Sequence, residues 1–305
     1  MFRTLLAAAL LAALPFAGAE NLTVPTARGA ASVVKNPERF AVYDWAALDS
    51  LNQLGVATPA TTAPVQVDYL KPLFAKAKTV GTLFEPDLEA LHAYNPQLVI
   101  TGGPGAAAYD GLARVAPTID LTVDNANIRT SGEAQIRTLG RIFNREQEAE
   151  TLVASIEKTF AEARVAAKNQ GRGLVISITG RKISAFGPQS RLGSWIHTDL
   201  RLEPVDKGLE NAGHGQPVAM EYIKEKNPDW IFVIDRTAAL GEPGPAALTV
   251  LDNPLVHQTT AWQKGQIVLM PTANYIVAGG AQQLQQAAAQ LRDAFNAHPA
   301  HQEQP

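Results

Sequence analysis

The sequence predicts an α/β protein of two lobes with mostly parallel sheets, joined by one long α-helix, with a ligand cleft between the lobes. Three observations predict it. Short β-rich segments alternate with amphipathic helical stretches over most of the chain, one uninterrupted helical period fills the middle, and a helix-to-strand phrase occurs once in each half.

The β-rich segments are 39–44, 98–101, 118–123, 174–179, 182–187, 230–235 and 266–270, and stretches such as 45–54 and 109–115 are amphipathic between them. Strands alternating with helices form parallel layers. In the middle, Ala149, Leu152, Val153, Ile156, Phe160, Ala163 and Ala167 step by three or four, with one neighbouring pair and no Gly or Pro between 145 and 168. Asn144 is placed to cap this helix and Gly171 to end it. Such a helix runs roughly 36 Å, about the width of a small domain, and connects two halves stiffly. The closing helix, 281–297, shows the same period in Leu284, Ala287, Ala288, Leu291, Ala294 and Phe295. The repeated phrase sets Glu89 six residues before Asn95-Pro96 and Glu221 six residues before Asn227-Pro228, each followed by an apolar strand. Asn-Pro is common punctuation between helix and strand, which explains the dipeptide but not the matched glutamates. The expected organisation is a leader at 1–19, an N-terminal lobe at 20–144, a connecting helix at 145–170 and a C-terminal lobe at 171–305 with a frayed tail.

The leader reading rests on Arg3, an apolar run too short to span a bilayer, and the Ala17-Gly18-Ala19 cleavage site. Without Arg3, 25 basic residues face 29 acidic ones, a formal charge of −4. That balance argues against a nucleic-acid binder. The chain has no cysteine. This excludes a disulfide scaffold, a thiol nucleophile, a cysteine zinc site, an iron–sulfur cluster and a lipid-anchored cysteine behind the leader. An exported chain of this kind is expected free in a bacterial periplasm, as a monomer.

Few residues offer chemistry. His214 stands in Gly213-His214-Gly215-Gln216, open enough to present its ring to a cleft, although a loop histidine is more often bonded to backbone. Arg236 follows the strand ending at Asp235, and Arg191 follows the Gly-Pro-Gln-Ser turn after another strand. Strand carboxyl ends face the crevice of an open α/β sheet, so both arginines are placed to meet an anionic ligand. Tyr275 lies between the last strand and the last helix, where Gly279 and Gly280 allow close backbone approach. No nucleophile elbow or phosphate loop occurs.

Several phrases together resemble the periplasmic substrate-binding proteins of iron-siderophore and cobalamin import, and among them the catecholate-siderophore binders. They are Val42-Tyr43-Asp44-Trp45-Ala46-Ala47-Leu48-Asp49, Val80-Gly81-Thr82-Leu83-Phe84-Glu85-Pro86-Asp87, Lys182-Ile183-Ser184-Ala185-Phe186-Gly187 with Ser190-Arg191, His214-Gly215-Gln216, and Phe232-Val233-Ile234-Asp235-Arg236. The resemblance covers nearly all of the chain after the leader. It implies that Arg191 and Arg236 face iron-bound catecholate oxygens, that His214 and Tyr275 can reach the iron, and that Glu89 and Glu221 dock onto an ABC permease. It implies a receptor, not an enzyme, whose only metal is ferric iron carried in by the siderophore. The family often has a third arginine in the turn after 98–101. Here that turn reads Gly-Gly-Pro-Gly with Pro104 at the position, so either the ligand is less anionic or another basic residue compensates. A haem, hydroxamate-siderophore or cobalamin binder of the same fold is the near alternative, and a hydrolase using His214 as base is the distant one.

Overall fold

A computed structural model of the chain describes residues 20–211 and 213–299. The expected leader, His301 and the end of the tail lie outside them.

Strands β1 (Asn21–Thr26) and β2 (Gly29–Val34) form an antiparallel hairpin at the edge of the N-terminal lobe. Strand β3 (Phe40–Tyr43) runs into helix α1 (Trp45–Gln53), whose first turn Asp44 caps by accepting from Ala46 N at 2.9 Å. Next come β4 (Ala60–Thr61), β5 (Lys78–Thr79), α2 (Leu88–Tyr94), β6 (Leu98–Thr101), β7 (Thr118–Asp120) and α3 (Ile128–Ile142). The sheet is parallel throughout, in the order β5-β4-β3-β6-β7. Connections diverge between β3 and β6, so a crevice opens beyond Tyr43 and Thr101. Strand β7 stops at Asp120, short of the expected 123, because its only partner β6 ends opposite, at Thr101.

Helix α4 (Glu146–Ala166) is the long middle helix, about 31 Å from end to end. Neither expected cap holds. Asn144 sits at φ 53°, turning the chain between α3 and α4, and Arg145 occupies the cap position without a side-chain bond. The helix ends at Ala166, and Gly171, at φ 81°, shapes the turn into the next strand instead. An added Cβ at Gly171 would lie 2.4 Å from Asp229 Oδ2.

The C-terminal lobe contains β8 (Arg172–Thr179), β9 (Lys182–Phe186), β10 (Glu203–Pro204), β11 (Gln216–Val218), α5 (Met220–Lys226), β12 (Trp230–Asp235), β13 (Ile267–Met270) and α6 (Ala281–Ala297). Its sheet runs β11-β9-β8-β12-β13, with β10 beside the start of β8. Strand β9 runs against its neighbours β8 and β11, while β12, β13 and β10 run with β8.

Each sheet has two apolar faces, as buried parallel sheets do. Outer faces pack on their own lobe: Ala41, Tyr43 and Val99 in one, Leu174, Ile176 and Val233 in the other. Inner faces belong to a single cluster that includes Val42, Ile136, Ile156, Phe160, Phe232 and Leu284. Helices α4 and α6, packed together, form its spine, and Phe160 meets Trp195 edge-on at 5.9 Å. The two lobes are thus joined by apolar surface as well as by the helix.

Candidate functional site

Both sheets turn their carboxyl ends toward a cleft between the lobes. On the N-terminal side the wall is Asp44, Gly103, Pro104, Thr122 and Val123, and across from it stand Arg191, Gly213, His214, Ile276 and Ala278, enclosing about 270 Å³. A second cavity of about 350 Å³ lies against the C-terminal sheet, lined by Ser177, Thr179, Lys182, Ser184, Phe186, His214, Arg236 and Tyr275. His214 borders both cavities, so they are two ends of one cleft.

Arg236 opens the short helix that follows β12. Its neighbour Asp235 is occupied: Oδ1 accepts from Ala238 N and Oδ2 from Ala247 N, each at 2.9 Å. Arg236 therefore turns elsewhere, donating from Nε to the Tyr275 hydroxyl at 2.6 Å and from Nη1 to Thr179 Oγ1 at 3.4 Å. Arg191 donates to the Tyr275 carbonyl, and its Nε is buried without a partner among the described residues. The two guanidinium carbons lie 4.8 and 5.5 Å from the Tyr275 ring centroid. Burial pulls the Arg191 pKa down and the nearby Arg236 charge works in the same direction, against an opposing pull from Tyr275. Among the described residues no carboxylate lines the cavity that holds Arg236 and Tyr275.

The Tyr275 segment is held from behind. Gln283 Oε1 accepts from Gly279 N at 2.9 Å, and Gln283 Nε2 donates to Asn274 Oδ1 at 3.0 Å. The Gln283 backbone N–H in turn donates to Asp49 Oδ2 of α1 at 3.0 Å. Gly280 permits this approach, since a Cβ there would lie 2.3 Å from Asp49 Oδ2. Across the cleft, Asp44 is 6 % exposed and accepts from Gln135 Nε2 at 3.0 Å. Burial raises its carboxyl to about 6, against the pull of those hydrogen bonds.

The structure brings Arg191, Arg236, His214 and Tyr275 to one cleft. The strand-end reasoning holds for Arg236 but not for Arg191. Because β9 is antiparallel to β8, its carboxyl end at Phe186 pairs with Val175, away from the cleft end of β8, and the Gly187–Ser190 turn carries the chain back. Other histidines serve elsewhere: His197 bonds the Leu202 carbonyl, His257 bonds Asp252 and packs on Trp262, and His298 meets Trp230 edge-on. Among the described residues no group of three or more His, Asp or Glu is placed to hold a metal ion. Pro104 stands in the N-terminal wall, which among the described residues contributes no cation to the cavity; Arg191 lines it from the other lobe. Sequence reasoning passed over Lys182, Ser177, Ser184 and Asp44 as site residues.

Glu89 and Glu221 lie outside the cleft. Each is exposed in the first turn of a seven-residue helix, α2 or α5, with a fully buried residue two places on, Leu91 or Ile223. Each helix ends on a left-handed Asn, Asn95 at φ 51° and Asn227 at φ 43°, before an inner strand of its sheet. The echo is therefore structural.

A family model for periplasmic binding proteins matches residues 41–273. The chain belongs to that family. Like other periplasmic binding proteins it has curated relatives: the petrobactin-binding protein YclQ of Bacillus subtilis is 35 % identical over 254 residues, 81 % of this chain and 79 % of that one. The ferric-anguibactin-binding protein FatB of Vibrio anguillarum is 30 % identical over 251 residues, 78 % and 76 % of the two chains. The crystal structure of YclQ superposes with a TM-score of 0.85, covering 90 % of this chain and 99 % of its own. That of the periplasmic catecholate-siderophore binding protein VctP of Vibrio cholerae gives 0.84 at 25 % identity, covering 90 % and 100 %.

Proposed function

We propose that the protein is a periplasmic receptor that captures a ferric siderophore of catecholate type and delivers it to an inner-membrane ABC importer, without catalysing a reaction. The observation that carries this reading is the pair of arginines that flank Tyr275 in the cleft, neither salt-bridged among the described residues. An iron catecholate core is rich in anionic oxygens, and guanidinium groups bind such oxygens in charge-assisted bonds. Ferric iron prefers oxygen donors; the siderophore supplies most of them, and His214 and Tyr275 supply the rest when its denticity leaves positions open. The relatives' siderophore ligands support the same class of cargo. Glu89 and Glu221, one on each lobe, serve as docking points for the permease, and the receptor works as a monomer.

The test is a tryptophan-fluorescence titration with ferric catecholates, ferric hydroxamates, haem and cobalamin side by side. We expect tight binding of a ferric catecholate above the others. Tight binding of haem or cobalamin with no response to catecholates would overturn the assignment, and so would ester hydrolysis abolished by His214→Ala.

A further inference from the structure

Strands β8 and β9 meet in cross-strand pairs whose members share a face: Val175 with Phe186, Ser177 with Ser184, Thr179 with Lys182. On the opposite face Leu174, Ile176, Ile178 and Ile183 enter the outer core. The cleft face starts apolar, since Val175 and Phe186 belong to the inner core. It then becomes a pair of hydroxyls, and then a hydroxyl beside an ammonium. A face meant only for packing would stay apolar to its end. Ser177, Thr179, Lys182 and Ser184 instead line the cavity that holds Arg236 and Tyr275. Some cations of this lobe have partners, as in Arg172 with Asp229, Lys207 with Glu203 and Lys226 with Asp206, whereas Arg181, Arg201, Lys224 and Lys264 make no salt bridge among the described residues. Among the described residues Lys182 makes no salt bridge, like Arg191 and Arg236.

We propose that this ladder is a second anion subsite, in which Lys182 supplies the third positive charge that the Pro104 turn lacks and the Ser177, Thr179 and Ser184 hydroxyls hold ligand oxygens. The inference rests on the receptor reading above. Its occupant is an anionic oxygen group, either the third catecholate of a tris-catecholate or a carboxylate arm on a bis-catecholate. It also makes the cleft asymmetric. Arg191, Arg236 and Lys182 all belong to the C-terminal lobe, whereas the charged group of the facing wall is Asp44. The ligand loads its charge onto the C-terminal lobe, and the N-terminal wall closes on its less charged side.

Affinities of wild type, Lys182→Gln and Arg236→Gln are to be measured for three ferric chelates: a tris-catecholate, a bis-catecholate with a pendant carboxylate, and the same bis-catecholate without it. Lys182 is exposed, so the Gln variant is expected to fold, which a thermal melt checks. We expect Lys182→Gln to lose about tenfold on the tris-catecholate, on the carboxylate-bearing chelate, or on both, and under about twofold on the plain bis-catecholate. The chelate that loses names the occupant. The deficit should vanish in about 1 M salt, where charge interactions are screened. A loss below about twofold on all three chelates, while Arg236→Gln still weakens binding, overturns the subsite and leaves the receptor reading standing. An equal loss on all three that persists in salt marks a structural role for Lys182 and overturns it too. If wild type binds none of the chelates, the receptor reading itself fails.

Discussion

Arg236 donates from Nε to the Tyr275 hydroxyl at 2.6 Å, and this bond sets the phenol's role. One oxygen lone pair is engaged by the guanidinium, which leaves the O–H and the second lone pair directed away from Arg236. The guanidinium thus fixes the direction in which the phenol presents its oxygen to the cleft. Arg191 stabilises the arrangement from the backbone side through the Tyr275 carbonyl.

Charge at these two positions is expected to carry affinity. Charge-assisted hydrogen bonds in a partly dry cleft contribute about 1.5–3 kcal/mol each. Arg191→Gln and Arg236→Gln should therefore each weaken a ferric catecholate by roughly one to two orders of magnitude in a fluorescence titration. Wild-type affinity in both variants would place the ligand elsewhere.

Iron coordination by the protein depends on the denticity of its carrier. A hexadentate catecholate fills all six positions and makes His214 and Tyr275 bystanders, whereas a tetradentate one leaves two open to an imidazole nitrogen and a phenolate. His214→Ala and Tyr275→Phe should each lose about tenfold or more with the tetradentate complex, with a shifted charge-transfer band, and change little with the hexadentate one. Equal losses with both, or none with either, would exclude coordination.

Glu89 and Glu221 should matter to delivery and not to capture. A single exposed ion pair contributes under about 1 kcal/mol, so only the double variant Glu89→Ala/Glu221→Ala is expected to show a defect. It should bind ligand as wild type does and fail in a transport assay with reconstituted permease. Full uptake by the double variant would refute the docking role.

Asp49 predicts a pH dependence of stability. Burial pushes its carboxyl up to about 7 from an ordinary 3.8, and the amides at the start of α6 pull it back only in part. A carboxyl raised in the folded chain holds its proton more tightly there. It costs nothing below about pH 4; as pH climbs toward 7 the unfolded chain ionises first and stability falls, and above 7 the whole cost is present. Asp49→Asn keeps an acceptor for Gln283 N without the charge. It should melt higher than wild type at pH 8, by about 2–4 °C per kcal/mol recovered, and close to it at about pH 3.5. A variant that is less stable by the same amount at both values would contradict this.

All seven β-rich segments named from the sequence form strands, and the closing helix has the expected bounds, because buried strands and an amphipathic helix write their periods plainly. Helix α3 was not legible. Gly132 and Gly140 break its pattern, yet both are there for contact: a Cβ at Gly132 would lie 2.5 Å from the Gly279 carbonyl, and one at Gly140 2.6 Å from Ala149 Cβ. Such needs arise only after distant segments meet. Strands β4, β5, β10 and β11 have two or three residues each, too few to show a period. In the site, Arg236 was legible from its place after an apolar strand, whereas Arg191 reached the cleft by a route that depends on the direction of β9. Lys182, Ser184 and Ser177 did leave a trace, as polar residues at every second position of two apolar strands. Only the pairing of β8 with β9 gathers them on one face.

The inner cluster has a consequence for how the molecule comes apart. Phe160 of the connecting helix, Trp195 and Phe232 of one lobe and Ile136 of the other belong to one cluster of buried apolar side chains. Neither half would keep its inner face dry alone, so heat or denaturant should melt both in one cooperative step, and a chain cut between α3 and α4 should yield two fragments that fold only when mixed.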